Sequence, residues 1–395
     1  MPVTPAAAPR PGQHDTRAVT GCDVLVVGGG IAGASVAAEL SSGCDVVLAE
    51  REEQLAHHTT GRSAAMFLES YGSAEIRLLT RASRAHMDRL AEVEGTAVLT
   101  PRALLWIAGT RGVAELGTAM AELTALRSVD AAHALEMCPA LDPEWLVAAA
   151  LEESACDIDV AVLLGSFVHT ARSHGARIVT GAGVVGADHR GERWRVTTTT
   201  GTFHAAAVVV AAGAWADPVA AIFGAQPVGL RPMRRTIAVA RPAAVPFDPA
   251  WPMVVGIDES FYFRPEGPNL LLSPADETPS PPCDARPRET DVALALERVN
   301  AVTRLGLRSV LTAWAGLRTF GPDRNPVVGP DPDVDGLYWL AGQGGYGIQT
   351  APAMARLAAA EVTGRAPPQD IVASGLDLTR LRPERARAAD REAAS

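Results

Sequence analysis

The chain has no lysine. Its 35 basic residues other than histidine are all arginine, set against 45 acidic residues for a net charge of −10. The absence removes whole chemistries: no Schiff base, no lysine general base, no phosphate-loop lysine. The acidic balance, with no arginine stripe interleaved with aromatics, excludes nucleic acid as an obvious partner. Cysteine is scarce and scattered (Cys22, Cys44, Cys138, Cys156, Cys283), with no C-x-x-C pair. That excludes a disulfide framework and a zinc pattern, and a reducing cytoplasm is the simplest home. Long hydrophobic runs are missing too. The longest, residues 205–216, is too short to span a bilayer, so no membrane span is expected. Residues 1–20 are Pro/Ala-rich and polar, without the apolar core of a signal peptide, and read as a disordered leader.

What is present begins with "GCDVLVVGGGIAGASVAAEL". Residues 23–27 read as a buried strand, 31–41 as a helix of small residues and 45–50 as a second strand. This β-α-β unit predicts a parallel sheet. A helix is expected over 74–93. A further βα-rich stretch follows over 157–216, with a helix near 161–173. Residues 227–305 alternate short apolar runs with Pro-rich turns, which suits an antiparallel sheet, and end in a helix over 290–304. A strand, a Gly-rich turn and a long helix close the ordered chain, and residues past about 383 read as a charged tail.

Gly28-x-Gly30-x-x-Gly33 sits between strand and helix, the context a dinucleotide fingerprint requires. Gly28 permits the tight turn, Gly30 lets the backbone reach a pyrophosphate, and Gly33 lets helix and strand pack closely. Glu50, 22 positions after Gly28, stands where a ribose-binding acid belongs. The motif alone does not separate FAD from NAD. A second Gly-rich turn, "GQGGYGIQTAPAMA", precedes the last helix and favours an extended cofactor that crosses the sheet. In "HTTGRSAAM", the hydroxyls and amides of Thr59, Thr60, Gly61, Ser63 and Ala64 suit a phosphate or ring edge, or simply a capped helix start. One charge, Arg318, stands in "LTAWAGLRTFGP" among apolar neighbours and needs an anion, either a structural acid or a ligand.

"VVGGGIAGASVA", "HTTGRSAA", "AAGAWAD", "DESFYFRP", "WAGLRTF" and "GQGGYGIQTAPAM" occur in that order. Together they resemble the D-amino-acid oxidase type of FAD-dependent oxidoreductases, and most of all the D-arginine dehydrogenases. The resemblance covers residues 22–383. It implies an α/β fold of two parts. A Rossmann-like FAD-binding domain would come from 21–94, 152–215 and 316–378. A substrate domain on an antiparallel sheet would come from 95–151 and 216–315, with a charged tail over 379–395.

The resemblance also implies that Ala32 belongs to the fingerprint turn, that Glu50 holds the ribose and that Arg51 flanks it. Residues Thr59, Thr60, Gly61, Arg62, Ser63, Ala64 and Met66 would wrap pyrophosphate and flavin, and Val184 would meet the adenine. Gly344, Gly345, Tyr346, Gly347, Ile348 and Gln349 would lie along the isoalloxazine, with FAD held non-covalently. Arg318, assisted by Tyr262 and Arg235, would bind the substrate carboxylate, and Tyr71 would sit on a loop over the pocket. The guanidinium fork matches a carboxylate with two parallel hydrogen bonds and fixes Cα for hydride transfer.

Two departures bear on the substrate. Met66 stands where the arginine-oxidising relatives have a histidine, and Leu104 where they have the glutamate that grips a cationic side chain. A buried guanidinium would go unpaired there, so the expected substrate is a 2-amino acid, of D configuration, with an apolar or small side chain. A secondary or cyclic amine and a 2-hydroxy acid are the rivals, the latter lacking an evident base. The electron acceptor is expected to be O2 or quinone-like, and the lack of lysine leans toward a dehydrogenase. His57–His58 reads as a solvated loop, Glu152–Glu153 as a surface pair and Glu259 as non-catalytic.

Overall fold

The computed structural model describes residues 19–95 and 97–394. The leader expected over 1–20 lies outside the described residues except for its last two, which open the first strand.

Along the chain run β1 (Val19–Val27), α1 (Ile31–Ser41), β2 (Val46–Ala49), α2 (Ala74–Glu94), β3 (Leu104–Ala108) and β4 (Ala148–Glu152). Then follow α3 (Val160–Ser173), β5 (Arg177–Val179), β6 (Val184–Arg190), β7 (Arg193–Thr198) and β8 (Thr202–Val210). Next are β9 (Arg231–Ala240), β10 (Met253–Gly256), β11 (Tyr262–Glu266), β12 (Asn269–Ser273) and β13 (Val310–Phe320). The chain closes with β14 (Val327–Pro330), β15 (Leu337–Ala341), α4 (Gly347–Thr363) and α5 (Pro383–Ala394).

The first sheet has the order β6-β7-β8-β1-β2-β5, with β15 beside the end of β8 and β14 beside β15. Its centre, β8, β1, β2, β5 and β15, is parallel, as the β-α-β reading predicts. β6, β7 and β14 add antiparallel flanks. α1, α3 and α4 cover one face over a core that includes Val26, Leu48, Phe167 and Met354. α1 is buried almost all round, so its small residues serve close packing rather than an amphipathic stripe. Gly33 shows why: a Cβ there would stand 1.8 Å from the Gly28 carbonyl oxygen.

The second sheet places β13, β9, β12, β11, β10, β3 and β4 side by side. Its neighbours are antiparallel, as the Pro-punctuated runs predict, except for the parallel pair β10–β3. One face packs under the helix Glu289–Asn300, shorter than the 290–304 expected. The other face, with Trp106, Met253, Val255 and Tyr262, looks toward residues 64–68. At its edge, Thr319 of β13 pairs with Gly344, so this sheet delivers Arg318 directly to the Gly-rich turn that starts α4.

The segment read as a charged tail is a helix, α5, and it docks. Arg385 meets Asp323, and Arg387 donates to Asp331 at 2.6 Å and to Asp333 at 2.8 Å. The charges of this segment are paired, with acids that lie more than fifty residues upstream.

Candidate functional site

A cavity of about 660 Å³ runs from the carboxyl ends of β1 and β2 to β13 and the start of α4. Gly28 opens it with φ of +110°, and a Cβ there would stand 2.5 Å from the Ala211 carbonyl oxygen, so only glycine is accommodated. The N-terminus of α1 faces the cavity at Gly30, Ile31 and Ala32. Its Ile31 N–H donates to Thr60 Oγ1 at 3.1 Å. Glu50 closes the β2 side: Oε2 accepts from Gly29 N–H at 2.5 Å and Oε1 from Glu52 N–H at 2.8 Å. Arg51, Gly183 and Val184 line that end, and the Arg51 guanidinium lies 4.9 Å from the Trp215 ring centre. At the far end stand Gly344, Gly345, Gly347, Ile348 and Arg318.

A smaller cavity of about 60 Å³ adjoins this far end. Arg318, Tyr71, Tyr262, Glu259 and Arg235 line its polar side, and Met66, Leu68, Trp106, Met253 and Val255 its apolar side. Among the described residues no acid forms an ion pair with Arg318. Among the described residues its one side-chain partner is the Tyr71 hydroxyl, which accepts from Nη1 at 3.3 Å. Burial pulls the guanidinium pKa down, but Tyr71 and Tyr262 outweigh it and the net shift is upward, so the group stays charged. Gly345 lets it approach: a Cβ there would stand 2.8 Å from Nη1. The Tyr262 hydroxyl is buried without a partner, as is the Trp106 indole N–H.

This layout matches a known family. The description "FAD dependent oxidoreductase" (DAO) matches residues 23–361. The chain belongs to the DAO family. It is 28% identical over 350 residues to glycine oxidase of Geobacillus kaustophilus, covering 84% of this chain and 90% of that one. The crystal structure of that oxidase superposes with a TM-score of 0.79 at 25% identity, over 92% and 98% of the two chains. L-proline dehydrogenase from P. horikoshii shares the fold with a TM-score of 0.82 at 20% identity, over 94% and 100%. L-amino acid deaminase from Proteus vulgaris does so with 0.77 at 18%, over 98% and 99%. As a DAO-family member the protein is an FAD-dependent oxidoreductase.

The larger cavity fits FAD on its own terms. It runs from the carboxyl ends of β1 and β2 to the start of α4, and the N-terminus of α1 opens onto it. Of the residues expected to hold the cofactor, Gly28, Gly30, Ala32, Glu50, Arg51 and Val184 line one end of this cavity, and Ser63, Ala64, Gly344, Gly345, Gly347 and Ile348 line it toward the other.

Other expected residues lie off the larger cavity or have their polar groups engaged by the protein. Gly33 is a packing position, as its place in the fingerprint predicts, and so is Gly61, where a Cβ would meet the Ala56 carbonyl oxygen at 2.5 Å. Thr59 lines the cavity but spends its hydroxyl on Leu317 O at 2.8 Å. The Arg62 guanidinium is held by Asp284, Ala285 O and Ala315 O. Met66 and Gln349 line only the smaller cavity, where Gln349 Oε1 accepts from Leu68 N–H at 3.1 Å. Tyr346 lies behind Tyr71, ring centres 4.9 Å apart. Arg235 reaches the cavity but is already matched: Nη2 bonds Glu277 at 3.1 Å and Nε donates to Asp276 O at 2.9 Å. It is therefore not a second free cation.

Sequence reasoning gave plain readings to four residues, Glu259, Glu152, His57 and His58, whose surroundings the fold supplies. Glu259 lines the smaller cavity in a left-handed backbone conformation, φ +49°. Enclosure raises its carboxyl above the usual range while Arg235 and Arg318 pull it down. Glu152 is fully buried, not a surface acid; only Glu153, bonded to Arg127 at 2.6 Å, is exposed. His57 and His58, read as a solvated pair without acid nearby, have Glu52 beside them. Their ligand atoms lie within 4.8 Å, and His58 Nε2 bonds Glu52 at 3.0 Å.

Proposed function

We propose that the protein oxidises a 2-amino acid of D configuration with an apolar or small side chain. Cα loses hydride, and water hydrolyses the resulting imino acid to a 2-oxo acid and ammonia. FAD, when bound, supplies the hydride acceptor. The observation that carries this reading is Arg318: a charged, enclosed guanidinium with a phenol but no acid against it. A carboxylate from outside completes it with two parallel hydrogen bonds. Tyr71 and the unpartnered Tyr262 hydroxyl add to the grip, and Arg235 acts at one remove because Glu277 already holds it. The wall opposite, with Met66, Leu68, Trp106, Met253 and Val255, offers a side chain no charge partner, and the volume favours a small one. No side chain has to act as a strong base, since loss of hydride is assisted by the lone pair of a neutral amine.

The test is anaerobic bleaching of the yellow holoenzyme with D-Ala, D-Leu, D-Met, D-Phe and D-Arg, each beside its L isomer. Fast bleaching by the small or apolar D isomers is expected, and a strong preference for D-Arg or for L isomers overturns the reading. Glycine, sarcosine and L-proline belong in the panel, because relatives include a glycine oxidase and an L-proline dehydrogenase. Preference for a secondary amine supports the rival, secondary-amine oxidase.

The acceptor is O2 or quinone-like. With no lysine to assist oxygen, the lean is to a dehydrogenase, and rapid reoxidation in air overturns it. A cytoplasmic location rests on the scattered cysteines. No helix among the described residues is long and apolar enough to cross a membrane.

A further inference from the structure

The buried Glu152 has no role in the reading so far. It ends β4, opposite Leu104 of β3, on the sheet face that looks into the smaller cavity. Its exposure is 0%, and no cation among the described residues pairs with it. A carboxylate is rarely left this way inside a protein unless donors surround it. The donors here all come from one short segment. Oε1 accepts from Glu69 N–H at 2.6 Å, and Oε2 accepts from the Ser70 hydroxyl. The next residue is Tyr71, whose hydroxyl is the partner of Arg318.

The segment is tied at its other end as well. Gln349 of α4 holds Leu68 through its N–H, and the Gly72 carbonyl oxygen accepts from Arg77 Nη1 at 2.6 Å. Without Glu152, the Glu69 N–H and the buried Ser70 hydroxyl would lose their acceptor, between two anchored ends.

We propose that Glu152 is a positioning residue: it holds the Glu69–Ser70 backbone so that Tyr71 stands over Arg318 and the bound carboxylate. It touches neither substrate nor flavin and acts through Tyr71. The inference rests on Arg318 as the carboxylate site, but not on which amino acid is oxidised.

The test uses the holoenzyme and propanoate, a small carboxylate with no amine to oxidise. Its Kd is read from the change in the flavin spectrum, for Glu152→Gln, Tyr71→Phe and the double variant. The expected result is a Kd raised about tenfold in Glu152→Gln and a similar rise in Tyr71→Phe. The double variant should be no more than about twofold weaker than Tyr71→Phe alone, because the two act through one contact. With a substrate, Glu152→Gln should raise KM far more than it lowers kcat. Ser70→Ala removes one donor only, keeps the buried acid and should weaken propanoate about threefold, which covers failure of Glu152→Gln to fold. Effects that multiply in the double variant, or an unchanged Kd in Glu152→Gln or Ser70→Ala, overturn the proposal. A wild type that binds propanoate but is bleached by no amino acid overturns the proposed reaction and leaves Glu152 in place.

Discussion

Arg318 and Arg235 lie on adjacent strands, yet their surroundings separate them. Arg235 pairs with Glu277, which it shares with Arg324, while among the described residues Arg318 meets only a phenol. Arg318→Met should lower kcat/KM by about 10²–10³-fold, the scale for losing one partner of an enclosed charge pair, while FAD content stays near one per chain. Steady-state kinetics with the best substrate of the panel, beside the flavin absorbance ratio, checks both halves. Tyr262→Phe should be milder, about three- to tenfold in KM, because one neutral hydrogen bond is lost. At this scale the glycines were legible, because the demands of Gly28 and Gly33 are local. Glu152 was not: nothing adjacent to it in sequence says that a loop from residue 69 will close over it.

Among the elements, α1 and α4 present their N-termini to the flavin cavity, and β13 brings Arg318 to the turn that starts α4. Gly33→Ala should give protein that retains little FAD, since its Cβ would overlap the Gly28 carbonyl and push α1 off the turn. The flavin-to-protein absorbance ratio after purification reads this directly. The short strands and helices of the first sheet matched expectation because their apolar spacing is set by immediate neighbours. α5 did not. Its Arg387, 8% exposed, lies on Asp331, which also accepts from Trp339 Nε1 at 2.8 Å. Arg387→Ala strands that buried acid and should cost on the order of 3 kcal/mol, seen as a Tm lower by several degrees. Turnover per bound flavin should be unchanged, because α5 lies apart from both cavities.

The pH dependence of stability belongs to the whole molecule. His86 of α2 stacks on Phe167 of α3, ring centres 5.4 Å apart, with Nε2 buried and unpartnered. Burial, then the charges of Arg89 and Arg356, lower its pKa to about 4. The unfolded chain, near 6.5, binds the proton first as pH falls. Stability should therefore drop between pH 6.5 and 4, by at most about 1.4 kcal/mol per unit from this group. Denaturant melts at pH 7 and pH 5 check it: the loss should be smaller in His86→Leu than in the wild type.

Glycine spacing and strand-turn-helix order were enough to mark a dinucleotide-type turn, since each is a short-range requirement of the backbone, and the resemblance carried by six segments in order pointed to flavin enzymes. Which arginine stays free, which acid is buried, and which charged segment docks was decided only by folding. An ion pair is a matter of distance in space, and Arg235 finds Glu277 forty-two residues away while Arg387 finds Asp331 fifty-six away. No pattern along the chain encodes that distance.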